Sequence, residues 1–212
     1  MFGTRAQVEE IIKRLGKLYP HPKTELNYKT PFELLAATIL SAQATDASVN
    51  RVTERLFKKY GSIRDFDAAP LAELEKDVAG INFYRNKAKN IKSCAGIILT
   101  RYGGQVPDTM AALVELPGVA RKTANVLLSN AFGKSEGIAV DTHVKRLSQR
   151  LGITKNTDPV KIEKDLMEMA PRSRWGDLSH MLILHGRRVC TARAPRHKEC
   201  VLYDICPSNN IY

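Results

Sequence analysis

Apolar residues recur every three or four positions along almost the whole chain. The only short β-branched stretch, Ile138-Ala139-Val140, is too brief to seed a sheet. Val8, Ile11, Ile12, Leu15 and Leu18 predict a first helix that buries one stripe and ends near Pro20. Thr30-Pro31-Phe32-Glu33 supplies an N-cap, a first-turn proline and a capping-box glutamate ahead of the apolar run LLAATIL, which predicts a helix buried nearly all round. Asp46 is expected to cap a third helix running through Val49, Val52, Leu56 and Phe57 to Gly61, and Pro70 to open a fourth through Leu71, Leu74 and Val78. A fifth spans about 84–102 and stops at Gly103-Gly104. Further helical patterns follow Asp108, Arg121, Asp141, Asp158 and Arg174, and the last twenty or so residues read as loop. The expected fold is all-α.

Composition adds bounds to this picture. With 212 residues, 43% hydrophobic and 26% charged, the chain suits one domain or two small ones with a true core. The 33 Lys+Arg exceed the 22 Asp+Glu by 33 − 22 = 11 charges, an excess that attracts polyanions, of which nucleic acid is the commonest. No apolar run reaches the roughly 20 residues that span a bilayer, and MFGTRAQVEE has no secretory apolar segment, so a cytoplasmic protein without a membrane partner is expected. Four cysteines in that compartment should be reduced thiols.

The stretch Leu116-Pro117-Gly118-Val119-Ala120-Arg121-Lys122 lies between two short helical patterns. Pro117 cannot continue a helix and Gly118 can take positive φ, so the backbone N–H groups of the turn and of the next helix point outward together. That geometry suits a phosphate oxygen, although for the turn alone a plain helical hairpin is the better explanation. Lys122 sits where the helix dipole and Arg121 disfavour a second positive charge, which is expected to favour the neutral, nucleophilic amine over that of an ordinary surface lysine. Asp141, ahead of the run 142–147, suits an N-cap.

Together with LNYKTPFELLAATILSAQATD at 26–46, FYRNKAKNI at 83–91, IAVDTHVKRL at 138–147 and LILHGRRVC at 182–190, LPGVARKTANV at 116–126 resembles the helix-hairpin-helix DNA glycosylases, most closely their endonuclease III branch. The resemblance covers nearly the whole chain. It implies a bifunctional DNA glycosylase and AP lyase of base excision repair that removes oxidised pyrimidines. Lys122 would attack C1′ of the damaged nucleotide, form a Schiff base and allow strand cleavage by β-elimination, and Asp141 would be the catalytic carboxylate that stabilises positive charge on the sugar. It further implies that Gln43 enters the base stack and bonds the orphaned opposite base. Phe83 falls at the apolar wedge position, with core packing as its equal alternative. Asp46 would shape the lesion pocket, His143 would lie near the cleft, and residues 116–121 would bind phosphate. Ala120 departs from the family, which usually has a second glycine there.

Near the C-terminus, Cys190-x6-His197-x2-Cys200-x5-Cys206 is dense enough in ligands to predict a metal. The resembling family carries four cysteines at this spacing and a [4Fe–4S] cluster that orders a basic loop. Here His197 replaces the second cysteine. Imidazole can ligate iron, three thiolates and one imidazole also suit tetrahedral zinc, and a cluster lacking one iron is the third option. The metal would hold Arg193, Arg196 and Lys198 toward phosphates. Cys94, remote in the sequence, is expected to be a buried small hydrophobe.

The resemblance implies two all-α lobes, 23–134 with the hairpin and 1–22 plus 135–212 with the metal loop at 190–206, and an active site in the cleft between them. A monomer acting on double-stranded DNA with oxidised pyrimidines or abasic sites is expected. An adenine-mismatch glycosylase fits less well, because Lys122 occupies the bifunctional position and the chain leaves no room for that relative's extra C-terminal domain. A non-catalytic DNA-binding module would bind without cleaving.

Overall fold

The computed structural model describes residues 3–209 and 211. They form an all-α protein; among the described residues there is no strand. The chain divides into two compact units, one of residues 25–134, the other joining residues up to 24 with those from 135 onward.

The first unit contains α2 (Pro31–Ser41), α3 (Asp46–Lys59), α4 (Ile63–Ala68), α5 (Leu71–Asp77), α6 (Tyr84–Arg101), α7 (Met110–Leu113) and α8 (Arg121–Ala131). Helix α2 is buried on nearly every side, as its apolar run requires, and packs against α3, α6 and α8. Thr30 Oγ1 accepts from the Glu33 amide at 3.2 Å, while the Glu33 carboxylate reaches one residue beyond the usual box partner, to the Lys29 amide at 2.6 Å. The cap of α3 is Thr45, whose Oγ1 accepts from the Ser48 amide at 3.3 Å. Asp46, expected there, is instead the first helical residue, where its charge complements the dipole. The helix stops at Lys59, two residues before Gly61.

Helix α4 was not foreseen, because six residues are too few to show a period. Its signal is the box Ser62-x-x-Asp65, in which Asp65 Oδ2 accepts from the Ser62 amide at 2.8 Å. It delivers Phe66 into a cluster of aromatic rings with Phe32, Phe57 and Tyr60, and packs along α6.

The second unit is built from α1 (Arg5–Leu18), α9 (Thr142–Arg150), α10 (Pro159–Met169) and α11 (Trp175–Arg188). Val8, Ile11, Ile12 and Leu15 of α1 are buried with Val144, Leu147, Ile162, Leu166, Leu178 and Met181, whereas Leu18, predicted in the same stripe, is exposed. Residues 138–140 run through this core without pairing as a strand. Their backbone is satisfied by side chains: the Ile138 amide donates to Glu163 Oε1 at 3.3 Å, and Ser179 Oγ donates to the Ala139 carbonyl at 2.7 Å. The chain after α11 folds back onto α1, where Arg14 Nη1 donates to the Val201 carbonyl at 3.0 Å and pairs with Asp204.

Candidate functional site

The hairpin joins α7 to α8. Leu116 and Val119 are buried in the core of their unit, so of these two residues only the backbone is available to a ligand, while Gly118, Ala120, Arg121 and Lys122 are exposed and Pro117 is half-buried. The Val119 amide donates to the Leu116 carbonyl at 3.1 Å, and Gly118 takes φ +77°, a conformation that favours glycine. Ala120, at φ −86° and ψ 168°, is the extended N-cap residue of α8, so a second glycine is not required there. Its methyl group supplies no capping oxygen to the first turn of α8, where Lys122 lies. Cys94 of α6 is buried, and its thiol donates to the Pro117 carbonyl at 3.3 Å, with burial pushing its pKa up to about 12. It is more than a packing residue: it ties the hairpin to α6.

Gln43 and Phe83 are the two non-glycine residues with left-handed backbone among those described, at φ 55° and 58°. Gln43 follows α2 and Phe83 is the N-cap residue of α6. Asn82 Nδ2 donates to the Gln43 carbonyl at 3.3 Å, which brings the two turns together. Phe83 is 64% exposed, so core packing does not explain it. A left-handed phenylalanine held in solvent is costly twice over, through its backbone and its unburied ring.

In the other unit, Asp141 Oδ1 accepts from the amides of His143 and Val144, both at 2.8 Å, which makes it the N-cap of α9. His143 is half-buried, and burial lowers its pKa. Arg146 Nη2 lies 3.2 Å from His143 Nδ1 and donates to the Gly186 and Cys190 carbonyls at 2.9 Å each.

Cys190, His197, Cys200 and Cys206 line one cavity of about 30 Å³. Two residues that the spacing alone did not single out touch these sulfurs. Arg150 Nη1 donates to Cys190 Sγ at 3.3 Å, and His185, fully buried, places Nε2 3.4 Å from Cys200 Sγ and Nδ1 3.4 Å from the Tyr19 hydroxyl. Burial pushes the thiols of Cys200 and Cys206 up, and the neighbouring cysteines push in the same direction. No three His, Cys, Asp or Glu side chains among the described residues converge on the position of a single metal ion. Arg193, Arg196 and Lys198 are exposed, and Arg196 Nη1 lies 3.5 Å from Glu199 Oε2.

Residues 36–172 match the model of the HhH-GPD superfamily base excision DNA repair proteins. The chain is 50% identical to the endonuclease III of Synechocystis sp. over 208 residues, covering 98% of this chain and 95% of that one. It is also 50% identical to the endonuclease III of Bacillus subtilis, covering 94% of this chain and 91% of that one. A solved structure of a trapped endonuclease III–DNA covalent intermediate matches it with a TM-score of 0.93 at 43% identity, covering 99% and 98% of the two chains. This chain therefore belongs to the endonuclease III family, within the HhH-GPD superfamily of base excision DNA repair proteins.

Proposed function

We propose that the protein is a bifunctional DNA glycosylase and AP lyase that removes oxidised pyrimidines from duplex DNA and then cuts the strand at the abasic site. The observation that carries this reading is Lys122, exposed in the first turn of α8 directly after a hairpin with a glycine-dependent bend. Kinship with an endonuclease III trapped covalently on DNA supports a covalent route here.

In this mechanism the neutral Lys122 amine attacks C1′. The C1′–N bond breaks, its electron pair leaves with the base, and a proton reaches the base. The Lys122 nitrogen gives up one proton, the C1′–O4′ bond breaks as O4′ takes up a proton and the ring opens, and a protonated Schiff base that keeps one N–H forms. Loss of a C2′ proton then expels the 3′ phosphate by β-elimination. Asp141 stabilises the positive charge that develops on the sugar. Its cap bonds to the α9 amides fix the carboxylate that performs this role. Gln43 and Phe83 enter the stack vacated by the flipped nucleotide. The backbone of 116–120 and the side chains of Arg121, Arg193, Arg196 and Lys198 hold phosphates without reading sequence.

Cys190, His197, Cys200 and Cys206 would hold a [4Fe–4S] cluster, with imidazole at one iron. Three thiols and one imidazole around a single cavity supply four donors, one for each iron of such a cluster. When bound, the cluster would order the basic loop and would take no part in base excision. The protein is expected to act as a cytoplasmic monomer.

The test is borohydride trapping and nicking on a duplex with a single oxidised pyrimidine. Wild type is expected to give a covalent adduct and a nick, and Lys122→Ala neither. Binding without any adduct in wild type would make the protein a DNA-binding module, and normal trapping by Lys122→Ala would remove that lysine from the mechanism.

A further inference from the structure

Lys87 of α6 is only 6% exposed, and burial lowers its pKa. Its ammonium donates to the Leu40 carbonyl at 2.8 Å and the Ala42 carbonyl at 2.6 Å. Neither acceptor is a carboxylate. A buried cation neutralised by no anion is expensive, and a methionine would fill the same volume without that cost. What the lysine adds is a pair of strong bonds to carbonyls that the end of α2 leaves unpaired. The second of those carbonyls belongs to the residue immediately before Gln43.

The main chain of Lys87 completes a second tie. Its amide donates to the Phe83 carbonyl at 3.2 Å, closing the first turn of α6 onto the other left-handed residue. Asn82, next to Phe83, donates to the Gln43 carbonyl at 3.3 Å. Both strained turns are thus fastened to one helix end by residues 82 and 87. A left-handed backbone at a non-glycine residue is strained and persists only when its surroundings enforce it.

We infer that Lys87, with Asn82, is the positioning clamp that holds Gln43 and Phe83 ready to enter the DNA stack, so that opposite-base recognition depends on a residue that never touches DNA. This rests on the base-flipping reading above. Lys87 acts through Gln43 and leaves the chemistry of Lys122 alone.

The test compares Lys87→Met, Lys87→Arg and Asn82→Ala with wild type, alone and in a Gln43→Ala background. Two substrates are used: a duplex with an oxidised pyrimidine opposite guanine or adenine, and a single-stranded abasic site, which has no opposite base. Lys87→Met is expected to lower the single-turnover duplex rate by about tenfold or more and to flatten the preference between opposite bases, because displaced positioning groups cost rate steeply. Cleavage of the single-stranded abasic site is expected to be unchanged. Lys87→Arg, which keeps donors to both carbonyls, should restore most of the duplex rate. In the Gln43→Ala background, Lys87→Met should add little, since both changes remove the same contact. Asn82→Ala, at an exposed position, should shift the duplex reaction in the same direction and carries the test if Lys87→Met does not fold. Equal loss on both substrates, full additivity with Gln43→Ala, or an unchanged duplex rate in a folded Lys87→Met would overturn the clamp, and if Lys87→Met does not fold, an unchanged duplex rate in Asn82→Ala overturns it. A wild type inactive on both substrates would overturn the base-flipping reading and the clamp with it.

Discussion

The observed cap role of Asp141 and the catalytic role proposed for it rest on one carboxylate, and substitution separates them. Both cap bonds use Oδ1, an atom that asparagine reproduces. Asp141→Asn is therefore expected to keep the melting temperature and DNA affinity near wild type while losing most of the glycosylase rate. Asp141→Ala should lose the same rate and also about 1 kcal/mol of stability, the usual cost of a missing N-cap. Thermal melting read beside single-turnover excision checks this; equal stability of the two variants would mean that the cap contributes nothing. The cap was legible in the sequence, since Asp141 precedes an apolar-periodic run. Cys94 was only half legible. Its burial follows from its place on an amphipathic helix, whereas its bond to the Pro117 carbonyl, 23 residues away, does not.

At the scale of elements, most helices follow from caps and periods. Thr30-Pro31 starts α2, and Asp158-Pro159 starts α10 with Asp158 Oδ1 accepting two amides. The errors arise where the signal is short or doubled. Helix α4 is too brief for a period, and Thr45-Asp46 offers two capping residues in succession, of which the first wins. The hairpin is the element whose shape bears most directly on binding. A Cβ at Gly118 would lie 2.5 Å from Asn90 Nδ2 and 3.1 Å from its Cγ, on a backbone already at φ +77°. Gly118→Ala is expected to cost about 1–2 kcal/mol from the left-handed backbone alone, with a further loss from displacing Asn90. Asn90→Ala should recover only that second part. Urea unfolding of the single and double variants measures both, and complete recovery by Asn90→Ala would show that the backbone does not need glycine.

For the whole molecule, the two units give metal loss a specific signature. The metal loop belongs to the unit of α1, α9, α10 and α11, where Arg14 and Gln7 of α1 hold residues 201–205. Iron and acid-labile sulfide with visible absorbance are expected in the purified protein, and zinc without sulfide would overturn the cluster assignment. Stripping the metal should raise amide hydrogen exchange across 189–209 while residues 25–134 keep their protection, because a cooperative unit opens without its neighbour. Uniform loss of protection would contradict that independence. The net charge of +11 also divides by position. Arg193 and Lys198 are exposed, as the proposed salt-dependent grip on phosphates requires, whereas Lys87 is buried inside the fold.

The sequence by itself determined most of the helices, the bend at Pro117-Gly118, the Asp141 cap and the spacing of the four candidate metal ligands. The first three are governed by residues within a few turns of one another and the last lies in one contiguous stretch, so a one-dimensional pattern contains their cause. Tertiary structure alone decided that Phe83 stands in solvent, that His185 touches Cys200 and that Lys87 is buried under the Gln43 turn. Lys87 reads in sequence as one lysine among many, because the carbonyls that give it a purpose lie 47 and 45 residues away and meet it only when α2 and α6 pack.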